Sequence, residues 1–205
     1  MKNAKVCILD YGSGNVASVY NLINRLDYDI KVSNKPEDIK KSSHLILPGV
    51  GAFGASVEKI KSNISIELLK DEVKVKKKPF LGICVGMQVL SERGYEFGEN
   101  DGLSIIKGSV EKLDCKNFPV PHIGWNEIKI QKQSELFKNM HEINDFYFVH
   151  SFEFKASDTN NIISTTNYGN DFVSAVQKEN IFGVQFHPEK SQKAGQLLIK
   201  NFLNS

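Results

Sequence analysis

Cysteine is scarce in this sequence, and tryptophan scarcer still. Among 205 residues there are three cysteines, Cys7, Cys84 and Cys115, and one tryptophan, Trp125. An odd, low cysteine count without regular spacing argues against a disulfide framework and for a reducing compartment. No apolar run approaches the ~20 residues that cross a bilayer, so no membrane association is expected. The chain enters a strand pattern straight after Lys2 and Lys5, without a signal-peptide layout, which points to the cytoplasm. Charge of one sign is also missing: the net charge is +2, and nothing in it calls for nucleic acid. The densest basic run, Lys74 to Lys78 with Val75 between, reads as a solvated helix end. His44, His122 and His141 have no metal-ligand spacing, so no metal is expected, and no cofactor. His122 reads as part of the Trp125 turn, and the other two as surface or strand-end residues. Repeats, linkers and low-complexity segments are absent. With 40% hydrophobic and 24% charged residues, the composition suits one sizeable core, hence a single domain over residues 1–205.

Strand and helix signals alternate through the first half. Lys5 to Asp10 is a continuous apolar strand with a charged end, the pattern of a central parallel strand. Gly12-Ser13-Gly14-Asn15 turns the chain, with Asn15 a good N-cap, and apolar residues follow at helical spacing from Val16 to Leu26. The Gly-x-Gly lacks the third glycine of a dinucleotide fingerprint and reads as a tight turn, placed at a protein interface. Asp29 to Ser33 and His44 to Leu47 are further strands, with a brief helix from Pro36 between them. Gly54 to Lys77 is mainly helical, with a break near Asn63. From Leu103 the texture changes. Short strands are predicted at 103–106, 109–113, 126–130, 146–154, 162–166 and 172–176, with 181–186 the returning arm of a hairpin. Gln192 to Leu203 closes as an amphipathic helix. The expectation is an α/β fold: a flavodoxin-like three-layer α/β/α arrangement with a mainly parallel central sheet and an added antiparallel strand layer.

Two stretches carry chemistry. In Pro79-Phe80-Leu81-Gly82-Ile83-Cys84-Val85-Gly86-Met87-Gln88, an apolar strand runs into a helix start, and Cys84 sits at the junction inside Gly-x-Cys-x-Gly. This is a thiol version of the nucleophile elbow, where a sharp turn raises one side chain above a sheet. Gly82 and Gly86 fit a turn with no room for a side chain. A lone cysteine is by default a buried structural residue; the flanking glycines favour a nucleophile. The second stretch is Phe182-Gly183-Val184-Gln185-Phe186-His187-Pro188-Glu189. His187 and Glu189, two apart in an extended segment, share a face, so the carboxylate can orient the imidazole as a base for Cys84. Pro48-Gly49-Val50-Gly51 ends a strand and can aim backbone N–H groups into a site at the sheet's carboxyl edge. Gln88 falls on the same helix face as Cys84.

The chain resembles the class I, triad-type glutamine amidotransferases, and within them the glutaminase subunits that feed an imidazole glycerol phosphate-forming partner. The resemblance rests on Asp10 to Asn15, Pro48 to Gly54, the Cys84 elbow, Pro121-His122-Ile123-Gly124-Trp125-Asn126, Tyr147 to Phe152, and Gly183 to Lys190, in family order. It implies a Cys84–His187–Glu189 triad that hydrolyses glutamine through a thioester. It implies an oxyanion hole from Gly49, Val50, Gly51 and Val85, and substrate contacts at Gln88, His150, Ser151 and Phe152. It implies a (βα)8-barrel cyclase as partner in a heterodimer, met through Asn15, Trp125, Tyr147 and Lys190, in histidine biosynthesis. Trp125 could equally be a core anchor, and Lys190 a plain surface lysine. Two departures from the family pattern, Gly102 to Gly108 and Phe152, keep open a paralogous subunit that feeds a sugar-amidinating partner. Flavodoxin-like chaperones and stress sensors with an elbow cysteine are a further class; they have no need of His187-x-Glu189.

Overall fold

The computed structural model describes residues 4–140 and 142–205; His141, read above as a surface or strand-end histidine, lies outside them. The chain opens β1 (Lys5–Leu9), α1 (Val16–Asn24), β2 (Asp29–Ser33), α2 (Pro36–Lys41), β3 (His44–Gly49) and α3 (Phe53–Asn63). After α4 (Ile66–Lys70) come β4 (Phe80–Cys84) and α5 (Val85–Gln88). Short strands follow: β5 (Arg93–Gly94), β6 (Asn100–Asp101), β7 (Gly108–Lys112), β8 (His122–Glu127), β9 (Lys129–Ile130), β10 (Asp145–His150) and β11 (Phe152–Ala156). The chain ends with β12 (Ile162–Tyr168), β13 (Asn170–Lys178), β14 (Ile181–Val184) and α6 (Gln192–Leu203).

An eight-stranded sheet has the order β2-β1-β3-β4-β14-β13-β12-β9. Its first five strands are parallel and the rest antiparallel. Every residue of β3, β4 and β14 is buried, which requires cover on both faces. The expected α/β class with a mixed sheet is therefore present. The added strands divide, however: β13, β12 and β9 prolong the main sheet, while β10-β8 and β11-β7-β5-β6 form two small sheets.

The order places β14 directly beside β4, with Val184 opposite Ile83. On its other side β4 pairs with β3, with Gly49 opposite Cys84. Segments far apart in sequence thus end together at the carboxyl edge of three adjacent parallel strands.

Several local expectations are corrected. Residues 103–106 form turns instead of a strand: the Leu103 N–H donates to Val89 O, and those of Ile105 and Ile106 to Leu90 O. This apolar run closes the end of α5, which is accordingly a single turn. The 146–154 strand breaks at Ser151, because β10 pairs with β8 and β11 with β7. The segment 126–130 is divided at the buried Ile128, and Gly124-Trp125-Asn126 lies within strand β8, so His122 and Trp125 are strand residues. His44 stands at a strand end, as one of its two readings had it, but buried and not at the surface, its ring edge-on to Phe202. Asn15 precedes α1, but its side chain does not cap the helix; Ser13 and Glu189 hold it instead. Lys78 does not end a solvated helix. It is partly buried, paired with Glu72 at 2.7 Å and donating to the Ile39 and Lys40 carbonyls.

The elbow is built on backbone contact. A Cβ on Gly86 would lie 1.9 Å from Leu47 O, and one on Gly82 would lie 2.3 Å from Gly86 O. Neither neighbour is a flexible side chain. Gly86→Ala is expected to destabilise the fold by about 2–4 kcal/mol through overpacking. The measurement is thermal unfolding, with a Tm lower by roughly 5–15 °C.

Candidate active site

Cys84 ends β4 and begins α5 with φ 54 and ψ −113. A non-glycine residue in such backbone costs about 1–3 kcal/mol and persists where the surroundings over-determine it. Here β3 and β14 clamp β4 on both sides, and the glycine contacts seat the turn.

His187 lies beyond β14, on the chain that leaves the sheet beside Cys84. Its backbone N–H donates to Tyr147 O at 2.9 Å, and its carbonyl accepts from the Ser191 hydroxyl at 2.6 Å. Its Nδ1 meets Glu189 Oε1 at 2.7 Å, with both side chains fully buried. The same carboxylate oxygen accepts from Asn15 Nδ2 at 3.2 Å. Burial opposes charge on His187, but the nearby Cys84 and the bond and charge of Glu189 outweigh burial and raise its pKa to about 10. Burial likewise opposes charge on Glu189, and the His187 contact holds its carboxyl below the usual value. Nε2 of His187 is buried and makes no hydrogen bond, which leaves it available to a proton in transit.

Cys84 and His187 line one cavity of about 370 Å³ together with Val50, Gly51, Val85, Gln88, Glu96, Pro121, Val149, His150, Ser151 and Phe152. All the residues named above for substrate contact therefore share it. Gly49 does not line it; a Cβ there would lie 2.7 Å from Gly86 N, so this glycine serves close packing. Gly51 has φ 108 and open space around its Cβ position. Outside the cavity, Trp125 is 45% exposed and edge-on to Tyr147 at 6.1 Å, and Lys190 Nζ lies 5.5 Å from the Tyr147 ring centre. These three residues form one surface cluster, whereas Asn15 is buried with its Nδ2 on Glu189. Among the described residues no group of three or more metal-ligating side chains occurs.

Sequence reasoning passed over Glu96 and Gln185. The Glu96 carboxylate lines the cavity and accepts from the Phe53 N–H at 2.7 Å. Nothing distinguished it in a polar loop. Gln185 is fully buried between Val184 and Phe186, and a polar residue in that apolar run was the available signal.

Behind the cavity, His122 Nδ1 and His150 Nε2 are 3.0 Å apart, and His150 Nδ1 lies 2.9 Å from Phe152 O. Burial pushes the His122 pKa down to about 4 and that of His150 to about 3, from 6.5.

The sequence profile described as "Glutamine amidotransferase class-I" matches residues 7–205, and the chain belongs to that family. Relatives narrow the class. The chain is 45% identical over 205 residues to "Imidazole glycerol phosphate synthase subunit HisH" of Pelagibacter ubique, covering 97% of this chain and 99% of that one. Identity to the protein of the same name from Pyrococcus furiosus is also 45%, over 97% of each chain. Among solved structures, PurLQS from Thermotoga maritima aligns over 98% of both chains with a TM-score of 0.75 at 18% identity, a likeness of fold alone.

Between pH 6.5 and their lowered values, unfolded His122 and His150 bind protons that the folded pair does not. The stability this pair contributes is full above pH 6.5 and falls with acid. His187, shifted upward, adds no slope there, since its contribution is lost only as pH rises towards 10. Urea unfolding should show a loss of roughly 1–2 kcal/mol between about pH 7 and 5. The slope should be shallower in His122→Phe, which keeps the ring stacked between Phe148 and Tyr168.

Proposed function

We propose that this chain hydrolyses the side-chain amide of glutamine at Cys84 and passes the ammonia to a partner subunit. The observation that carries the reading is the strained elbow cysteine in one cavity with a histidine locked to a buried carboxylate. The Cys84 sulfur attacks the amide carbon, and its proton passes to His187 Nε2. The oxyanion takes N–H bonds from Val85 and from the Gly49–Gly51 segment, where the open surroundings of Gly51 let the peptide turn. Such a donor is worth about 10²–10³ in rate. Collapse breaks the C–N bond, His187 delivers its proton to the departing nitrogen, and a glutamyl thioester remains. His187 then deprotonates a water, which cleaves the thioester to glutamate and restores the thiol. Glu189 orients the imidazole and stabilises its charged form. At the substrate's amino-acid end, Glu96 offers a negative charge to an ammonium group, and Gln88 with residues 150–152 offers polar contacts.

The relatives of this chain are named as subunits of imidazole glycerol phosphate synthase. The acceptor is thus a second subunit, proposed as a (βα)8-barrel cyclase of histidine biosynthesis. Those names favour it over a sugar-amidinating partner. The surface cluster of Trp125, Tyr147 and Lys190 is the proposed docking point.

Cys84→Ala should lower glutamate release by at least ~10³-fold, with His187→Ala close behind, because triad members act as a unit. Glu189→Gln should lose less. In the complex, ammonium salts should still support product formation by Cys84→Ala. Glutamate release persisting in that variant would remove the covalent mechanism. A separate measurement concerns docking. Trp125→Ala should leave glutamate release by the isolated chain unchanged while reducing its stimulation by the cyclase several-fold, and full stimulation would move the interface elsewhere.

A further inference from the structure

Gln185 is fully buried one residue past β14, flanked by Val184 and Phe186 in an otherwise apolar run. A carboxamide buried without partners costs about 1–3 kcal/mol. Its partners are specific: Nε2 lies 3.7 Å from Cys84 Sγ, and Oε1 accepts from Gln88 Nε2 at 3.0 Å.

The two ends of an amide are told apart only by their neighbours. Here a backbone group settles the direction. The Phe152 carbonyl can only accept, and Gln88 Nε2 lies 3.0 Å from it, so the Gln88 nitrogen faces that carbonyl. The second proton of the same nitrogen points at Gln185, which must present its oxygen. The Gln185 nitrogen is then turned to the sulfur. The Phe152 carbonyl also accepts from His150 Nδ1, so His150 Nε2 accepts from His122 Nδ1, and His122 Nε2 accepts from Asn126 Nδ2 at 3.3 Å. Every member gives and takes consistently, and neutral imidazoles suit their places.

We infer that Gln185 is a further catalytic residue of this site: its carboxamide N–H donates to the Cys84 sulfur and stabilises charge gathered there. Gln88 holds it in that orientation and is in this respect a positioning residue. The inference rests on Cys84 being the nucleophile. Val149 O, 4.0 Å from the sulfur, can only accept from it, and His187 Nε2 is the proton's destination. Once the proton has left, Gln185 is set to donate to the sulfur alongside the protonated His187.

The test is Gln185→Met in the full chain bound to its partner, since methionine keeps the length and volume but has no donor. Iodoacetamide alkylation of Cys84, followed at that site by mass spectrometry without glutamine, should slow about tenfold at neutral pH. The kcat for glutamate release should fall roughly 10- to 100-fold, as for loss of a hydrogen bond to a charged group, with KM changed far less. Far-UV circular dichroism should match wild type. An unchanged alkylation rate in a folded Gln185→Met protein overturns the inference, whatever kcat does. If that variant does not fold, side-chain amide spectra of 15N-glutamine-labelled wild type and Cys84→Ala decide: the Gln185 resonances should shift when the sulfur is removed, and coincident resonances overturn the inference. The underlying reading fails in a different way, by wild-type protein alkylated at Cys84 that still releases glutamate.

Discussion

The structure depends on one close approach of backbone to backbone. The turn after Cys84 lies against the Leu47 carbonyl of β3, in space that a single methyl group at position 86 would fill. Because glycine occupies positions 82 and 86, β4 can end, reverse and begin α5 within van der Waals contact of its neighbours. Cys84 is left in a backbone conformation that few side chains adopt, with its sulfur held above the sheet edge. A looser turn would relax that conformation and let the sulfur swing away from His187.

The second constraint is strand order. Position of β14 between β4 and β13 sets the distance from histidine to cysteine, and the Val184–Ile83 register sets their height above the sheet. The chain beyond β14 is then anchored through backbone groups: His187 N to Tyr147 O, and Ser191 Oγ to both Tyr147 N and His187 O. For the proposed reaction this matters, because an imidazole positioned by its main chain needs little reorganisation during proton transfer. Glu189 is tied in turn to Asn15 at the start of α1, so the His187–Glu189 pair is held by residues from both ends of the sequence.

Polar groups buried behind the cavity follow one direction of donation, from Asn126 through His122 and His150 to the Phe152 carbonyl. Gln88 donates to that carbonyl and to Gln185. Burial keeps both histidines neutral, and the break in the backbone at Ser151 presents the accepting carbonyl. A half-satisfied network of this kind would cost more than an apolar core. Its complete pairing therefore defines how side chains at the floor of the cavity are oriented.

The alternation of strands and helices, the buried central strands, the elbow and the paired His187 and Glu189 were all legible in the sequence, since each rests on local pattern: period, punctuation by glycine and proline, and short spacing. The grouping of Cys84 with His187 was inferred from the need of an elbow cysteine for a held base and from resemblance to a family, because spacing along the chain carries no information about strand neighbours. Residues 103–106 and 146–154 misled because an apolar run reports burial, and burial does not specify pairing; partners on other segments broke one run and curled the other. Asn15 followed local propensity to the N-cap position, yet its Oδ1, the atom that would cap the helix, accepts from Ser13 Oγ instead, while its Nδ2 donates to Glu189, remote in sequence. His122, Gln185 and Glu96 owe their roles wholly to what packs against them. The sequence by itself determined the main strands and helices and the local pairing of His187 with Glu189, because these rest on period and short spacing. The tertiary structure alone decided which buried polar groups face one another, because hydrogen bonds between distant segments exist only after the sheet has ordered its strands.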